Sequence, residues 1–186
     1  MILRPIHIDE DKSKEIYAND DCQEIFKSYP DYYYKTGYNP PWIGYFVIND
    51  DKVVGVGGFI GAPVDGKVEI AYGTFKRYEG QGIASFSCRE LIVITASVDP
   101  EIIVTAKTAP EQNASTKILQ KNGFVFTGIV QDEGIGDAWE WKKAKSEKRK
   151  VKSEWLCEWS MVNGQWSIVN GQWSMVNGQW SMVNGQ

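Results

Sequence analysis

The chain has 186 residues, enough for one domain of ordinary size, and its 42% hydrophobic and 24% charged content suits a packed globular protein. Its net charge of −4 argues against a dedicated nucleic-acid binder, and three cysteines without metal-ligand spacing argue against a disulfide framework or a zinc site. The start "MILRPIHIDEDK" lacks the apolar stretch of a signal peptide and no run is long enough to span a bilayer, so free thiols and a cytoplasmic location are expected.

In chain order, "ILRPIHI" reads as a first strand, with a proline that suits a sheet edge. "DEDKSKEIYANDDCQEIFKSY" opens on acidic residues and spaces its apolar residues as a helical region does, with a break near Asn19-Asp20. "DYYYKTGYNPPW" reads as an aromatic loop. "WIGYFVI", "NDDK" and "VVGVGGFIG" form a hairpin by pattern. The turn "APVDGK" leads to the strand "VEIAYGTF". The glycine-bearing "YEGQG" follows, then a helix "IASFSCRELIVITAS". "EIIVTAKT" is a strand, and "NASTKILQKNG" is a helix stopped by Gly123. "FVFTGIV" and "DAWEWKK" are two more strands. The order β-α-β-β-β-α-β-α-β-β predicts an α+β layer fold with a mixed sheet, because three consecutive strands precede the glycine helix.

The C-terminus is of another kind. From Trp159 the chain reads WSMVNGQ, WSIVNGQ, WSMVNGQ, WSMVNGQ. The period of seven does not make a coiled coil, because every unit carries a turn-forming Asn-Gly and no a/d seam. Short "QWSMV" strands joined by Asn-Gly turns fit better. A second account needs no folding: TGGTCAA repeated in tandem translates as Trp-Ser-Met-Val-Asn-Gly-Gln, and Ile168 needs one changed base. The expected organisation is a functional domain at 1–143, a basic linker at 144–158 and a repeat tail at 159–186 that is not a functional domain.

"YEGQGIASFSCREL" poses the functional question. Glycines at the mouth of a helix let free backbone N–H groups approach an anion. The segment lacks the Gly-Lys-Ser/Thr of a P-loop, and it follows the fourth strand without the third glycine of a dinucleotide fingerprint. A tight strand-to-helix turn with no ligand gives the same pattern.

"NASTKILQKNGF" on the next helix adds a second motif. Strand–"YEGQGIA"–helix followed by strand–"NASTKILQKNGF" resembles the GNAT superfamily of acetyl-CoA-dependent N-acetyltransferases, in particular the branch acting on ribosomal-protein N-termini and related amines. The resemblance spans the whole of residues 1–143 and implies the acyl-CoA N-acyltransferase fold. The superfamily loop reads Arg/Gln-x-x-Gly-x-Gly/Ala. Arg77-x-x-Gly80-x-Gly82 keeps the arginine. Glu79-x-x-Gly82-x-Ala84 keeps the distances to the strand and helix and is preferred, although it puts a glutamate where Arg or Gln usually stands.

The resemblance implies that Tyr72, Gly73 and Thr74 pair with the pantetheine arm. It implies that the N–H groups of Glu79, Gly80, Gln81, Gly82, Ile83 and Ala84 hold the pyrophosphate of acetyl-CoA. Asn113, or its neighbour Gln112, is the arm's partner near the second helix, and either Asn113 or Ser115 could equally be an ordinary helix cap. Ser115 matches a serine near the thiol. Leu119 stands where many members carry a tyrosine.

Acetyl transfer by direct attack needs a neutral amine, hence a base. The superfamily often uses a glutamate on the strand before the loop, so the resemblance makes Glu69 the candidate, with Glu140 on the last strand its rival and a plain ion-pair role as the alternative. Ser115 is the candidate donor to the leaving thiolate. The resemblance places the acceptor groove at this aromatic segment, so Tyr33, Tyr38 and Trp42 are its expected walls, flat and amphipathic, unless they pack the core. His7 is expected to be structural. The expected partner is an amine acceptor, with no nucleic acid, membrane or metal, for a monomer or homodimer. The competing function is an acyl-CoA-binding regulatory module of the same fold without turnover. Single-strand nucleic-acid binding by the aromatic loop and basic linker is disfavoured by the acidic total.

Overall fold

The computed structural model describes residues 1–144 and four tail strands at 158–162, 165–169, 173–176 and 179–182. The chain divides into two compact units, Met1–Lys145 and Ser146–Gln186.

The first unit has the element order expected: β1 (Ile2–Pro5), α1 (Asp20–Thr36), β2 (Gly44–Asn49), β3 (Lys52–Phe59), β4 (Lys67–Thr74), α2 (Ile83–Val98), β5 (Ile103–Thr108), α3 (Ala114–Lys121), β6 (Phe124–Asp132) and β7 (Gly136–Lys143). These strands form one mixed sheet in the order β1-β2-β3-β4-β5-β7-β6. Pro5 lies on β1, an edge strand, where its missing N–H costs no ladder bond. The break before α1 is a single 3-10 turn at Glu15–Tyr17, after which Asn19 caps the helix by accepting from the Cys22 N–H at 2.9 Å.

The expected aromatic loop is shorter than the sequence suggests. Helix α1 runs through Pro30 to Thr36, taking in Tyr32, Tyr33 and Tyr34. A proline in a helix interior costs about 3 kcal/mol. Packing offsets it: Tyr29, Tyr32 and Tyr33 lie with ring centroids 5.2 Å apart, the Tyr33 hydroxyl donates to the Ile6 carbonyl at 2.6 Å, and the Tyr32 hydroxyl donates to the Phe59 carbonyl.

Two cores lie on opposite faces of the sheet. On one, Tyr17, Cys22 and Phe26 from the α1 region pack on Phe46, Ile48 and Val53. On the other, Cys88 and Leu91 of α2 and Leu119 of α3 pack on Phe59, Ile70, Val104 and Trp141. Gly57 of β3 lets α2 come close, since a Cβ there would lie 2.1 Å from Ser87 Oγ. Among the described residues no helix is long and apolar enough to cross a membrane.

In the second unit, β8 (Glu158–Val162), β9 (Gln165–Val169), β10 (Trp173–Val176) and β11 (Gln179–Met182) form a separate antiparallel sheet in sequence order. The register aligns the repeats, with Ser160 opposite Ser167, Ser167 opposite Ser174 and Ser174 opposite Ser181. The Asn-Gly turns and nearly all of the basic linker lie outside the described residues.

Candidate functional site

The site begins where the sheet opens. β4 and β5 run parallel, but their ladder holds only Lys67–Ile103, Val68–Val104 and Glu69–Thr105. β4 continues to Thr74, paired from Ile70 onward with β3 alone. Beside this split lies a cleft of about 550 Å³, lined by Tyr72, Gly73 and Thr74 from β4, by Glu79, Gly80 and Gly82 to Ser85 at the start of α2, and by Ala114, Ser115, Lys117, Ile118 and Lys121 of α3.

The glycine loop leaves its main chain open to the cleft. Gly80 and Gly82 have φ of 77° and 79°, and no atom lies within 4 Å of where a Cβ would stand on either. Such backbone favours glycine and leaves room for a ligand to reach the main chain. Gly82 is the N-cap of α2, the first helical bond runs from the Phe86 N–H to its carbonyl at 2.9 Å, and the first turn holds no acidic residue. The N–H groups of Ile83, Ala84 and Ser85 thus point out of the helix end with its positive partial charge. Lys117 and Lys121, one helical turn apart, add positive charge from the opposite wall, whereas Glu79 adds a negative one at the mouth. Arg77 turns away to pair with Asp21 of α1 at 2.9 Å, so the arginine of the other register does not serve the loop.

Of the residues expected to hold the cofactor, all except Gln81 and Asn113 line the cleft. Asn113 is a helix cap: its side-chain oxygen accepts from the Thr116 N–H at 3.1 Å, while Thr116 Oγ1 accepts from the Asn113 N–H at 3.0 Å. Gln112 also turns to Thr116, at 3.3 Å. Ser115 lines the cleft, and Leu119 is fully buried beneath it. The Tyr72 hydroxyl is buried without a hydrogen bond; burial, with Cys88 beside it, pushes this phenol well above the usual tyrosine range. Burial likewise pushes the Cys88 thiol up to about 12, so it is no reactive thiolate.

The carboxylates lie on the sheet face opposite α2 and α3. Glu69 pairs with Lys107 of β5 at 3.2 Å, and the same ammonium reaches Asp132 at the end of β6 at 3.0 Å. Glu140 pairs with Lys142 at 2.9 Å and accepts from Thr127 Oγ1 at 2.7 Å. Burial raises the Glu140 pKa, but these hydrogen bonds together with the charges of Lys142 and Lys67 hold the carboxyl below its ordinary value, which makes it a poorer base. Neither carboxylate lines the cleft itself.

The aromatic residues are dispersed. Trp42 is buried edge-on against Phe59 at 5.0 Å, a core position in place of the expected groove wall. Tyr33 and Tyr38 line a separate hollow of about 370 Å³ with His7, whose Nδ1 lies 3.0 Å from the Tyr38 hydroxyl. Tyr33 itself is only 7% exposed. Sequence reasoning missed Lys117 and Lys121. Their spacing of four on α3, in the stripe of Ala114 and Ile118, was the available signal.

Residues 2–125, more than half of the chain, match the acetyltransferase (GNAT) domain family. The chain belongs to the GNAT acetyltransferases. No curated protein is significantly similar to it in sequence. Solved GNAT structures share the fold. RimL, a ribosomal L7/L12 α-N-protein acetyltransferase in complex with coenzyme A, is 19% identical with a TM-score of 0.55, over 75% of this chain and 91% of its own. A Salmonella typhimurium acetyltransferase that modifies the N-terminal serine of ribosomal L7/L12 is 21% identical with a TM-score of 0.52, over 65% of this chain and 73% of its own. A chimera of Vibrio cholerae spermidine N-acetyltransferase SpeG and hSSAT is 15% identical with a TM-score of 0.54, over 76% of this chain and 93% of its own. For this GNAT chain the family match at residues 2–125 takes in the split strands, the glycine loop and α3.

Proposed function

We propose that this chain transfers the acetyl group of acetyl-CoA to a primary amine by direct attack. The observation that carries the reading is the cleft joining an open β4–β5 seam to a glycine-framed helix N-terminus. That RimL was solved with coenzyme A supports the same ligand here. The residues fit it: an open main-chain cradle at Gly80 and Gly82, outward N–H groups at Ile83 to Ser85, and two lysines facing them. These groups would hold the pyrophosphate, and Tyr72–Thr74, laddered to β3 but not to β5, offers main-chain donors and acceptors on its open side to the pantetheine arm.

Bound acetyl-CoA supplies a thioester carbonyl that a neutral amine can attack. Glu69 takes the proton from the ammonium, directly or through water, at the mouth of the split. Ser115 Oγ, on the cleft wall, donates to the thiolate as it leaves. Much of the rate comes from holding the two reactants together, an effect worth about 7–11 kcal/mol when geometry is good. Acetylation of ribosomal-protein N-termini or of polyamines by the fold's relatives supports a primary amine as acceptor. The buried free thiols Cys22 and Cys88 suit a cytoplasmic setting.

Titration calorimetry with acetyl-CoA, followed by turnover across a panel of peptide N-termini and polyamines, tests the reading. Binding with turnover is expected. Binding without turnover on any amine favours the regulatory module, which the buried Leu119 and the ion-paired Glu69 also support. No binding at millimolar ligand overturns both.

A further inference from the structure

The charged residues on the sheet face opposite α2 contain a primary amine placed as an acceptor would be. Lys107 lies on β5 two residues beyond Thr105, the last partner of β4, so it stands at the mouth of the split. Its Nζ reaches back across the seam to Glu69 Oε2 at 3.2 Å and sideways to Asp132 Oδ2 at 3.0 Å. The side chains of all three are about a quarter exposed, at 27%, 26% and 25%. The chain thus holds its own alkylammonium against the carboxylate assigned as base. Other lysines near the site lack this combination. Lys117 and Lys121 line the cleft opposite the helix N-terminus, and Lys142 is paired to Glu140.

We propose that Lys107 is a self-acetylation site, modified by the chain's own bound acetyl-CoA; this rests on the acetyltransferase reading above. Glu69 accepts one proton from the ammonium. The freed ε-nitrogen bonds to the thioester carbonyl carbon, and the carbon–sulfur bond breaks. The amine's second proton passes to the departing thiolate. The products are an Nε-acetyl-lysine, coenzyme A as the thiol and one net proton, so no oxidant or further reactant is needed. The modification removes the charge that bridges Glu69 and Asp132. It leaves Glu69 and Asp132, both partly buried, without their shared cation, a state in which an incoming ammonium takes the place of Lys107.

The test uses the full-length chain and acetyl-CoA carrying a ¹³C-labelled acetyl group, with peptide mass spectrometry reading label at each lysine. Label at Lys107 is expected to exceed that at the exposed Lys35 and Lys52 by a factor on the order of 10² at early times, because proximity and base assistance act only there. The rate constant is expected not to vary with protein concentration. Gly82→Asp is expected to lose the excess at Lys107 and keep the background elsewhere. Calorimetry on the same sample separates the two ways to fail. Bound acetyl-CoA with no excess label at Lys107, or with the excess at Lys117 or Lys142, overturns the proposal and leaves the acetyltransferase reading standing. Absence of binding overturns that reading and the proposal with it. A second measurement needs no ligand: NMR titration of the Asp132 carboxyl in Lys107→Gln. The hydrogen bond from Lys107 holds this carboxyl below its ordinary value of 3.8, so its midpoint is expected to rise in the variant. An unmoved midpoint shows that Lys107 does not engage Asp132 and overturns the proposal.

Discussion

Gly82→Asp is the sharpest perturbation of the candidate site, because its effects on fold and on ligand separate. Gly82 has φ of 79° and no neighbour within 4 Å of a built Cβ, so a side chain there strains the backbone without striking the protein. Left-handed backbone costs an L-residue about 1–2 kcal/mol, and Asp tolerates it better than most. That corresponds to a fall in melting temperature of roughly 2–8 °C. The ligand meets more. A carboxylate about 5 Å from two pyrophosphate charges is repelled by about 2–6 kcal/mol, depending on how far water screens the open cleft. Affinity for acetyl-CoA is therefore expected to fall by about 30- to 10⁴-fold. Calorimetry reads the affinity, and a thermal melt of the ligand-free protein reads the fold. Gly82→Ala carries the strain without the charge and should keep more of the affinity. Unchanged binding in Gly82→Asp would refute the assignment of the loop to phosphate. Loss of more than about 4 kcal/mol of stability would refute the open-space argument, since it exceeds the strain alone.

Three further outcomes follow from the same structure. Glu69→Gln is expected to lower turnover by about 10²-fold while leaving acetyl-CoA affinity unchanged, and wild-type rates from about pH 6 to 9 would pass the role of base to another group. Ser87→Ala is expected to stabilise the fold by about 1 kcal/mol, because the Ser87 hydroxyl is fully buried without a hydrogen bond; a lower melting temperature would show an unseen partner. Deleting residues 159–186 is expected to leave acetyl-CoA binding and melting temperature unchanged and to reduce self-association measured by light scattering, since short edge strands rich in Trp pair readily; a truncation that unfolds would show that the tail belongs to the domain.

The element order of the first unit was legible because its periodicities are strong and its punctuation is local. The break expected near Asn19-Asp20 is where Asn19 caps α1, and Gly123, at φ of 76°, stands at the stop expected after α3. The turn into α2 was legible too: glycines ahead of an apolar helical run mark a tight strand-to-helix turn, and Gly80 and Gly82 both have positive φ there. What could not be read is decided by contacts between distant segments. Pro30 signals a helix end, yet the burial of three neighbouring tyrosines carries α1 past it. Trp42 has the chemistry of a groove wall, but Phe59 from another strand claims it. Asn113 fits both a ligand contact and a cap, and Thr116 supplies the capping partner. The pairing of Glu69 with Lys107 depends on how β4 meets β5, which no local pattern encodes.

The short β4–β5 ladder has a consequence for how the domain holds together. β4 occupies the middle of seven strands, the place where amide protons are normally most resistant to exchange. Yet the strands on either side of the seam are joined by only three residue pairs, Lys67–Ile103, Val68–Val104 and Glu69–Thr105. Amides of Ile70–Thr74 that point across the seam are therefore expected to exchange with deuterium at rates typical of an edge strand, although they lie at the centre of the sheet. A molecule threaded along that seam would restore the missing partners, and the slowing of exchange at these few positions would trace its path through the protein.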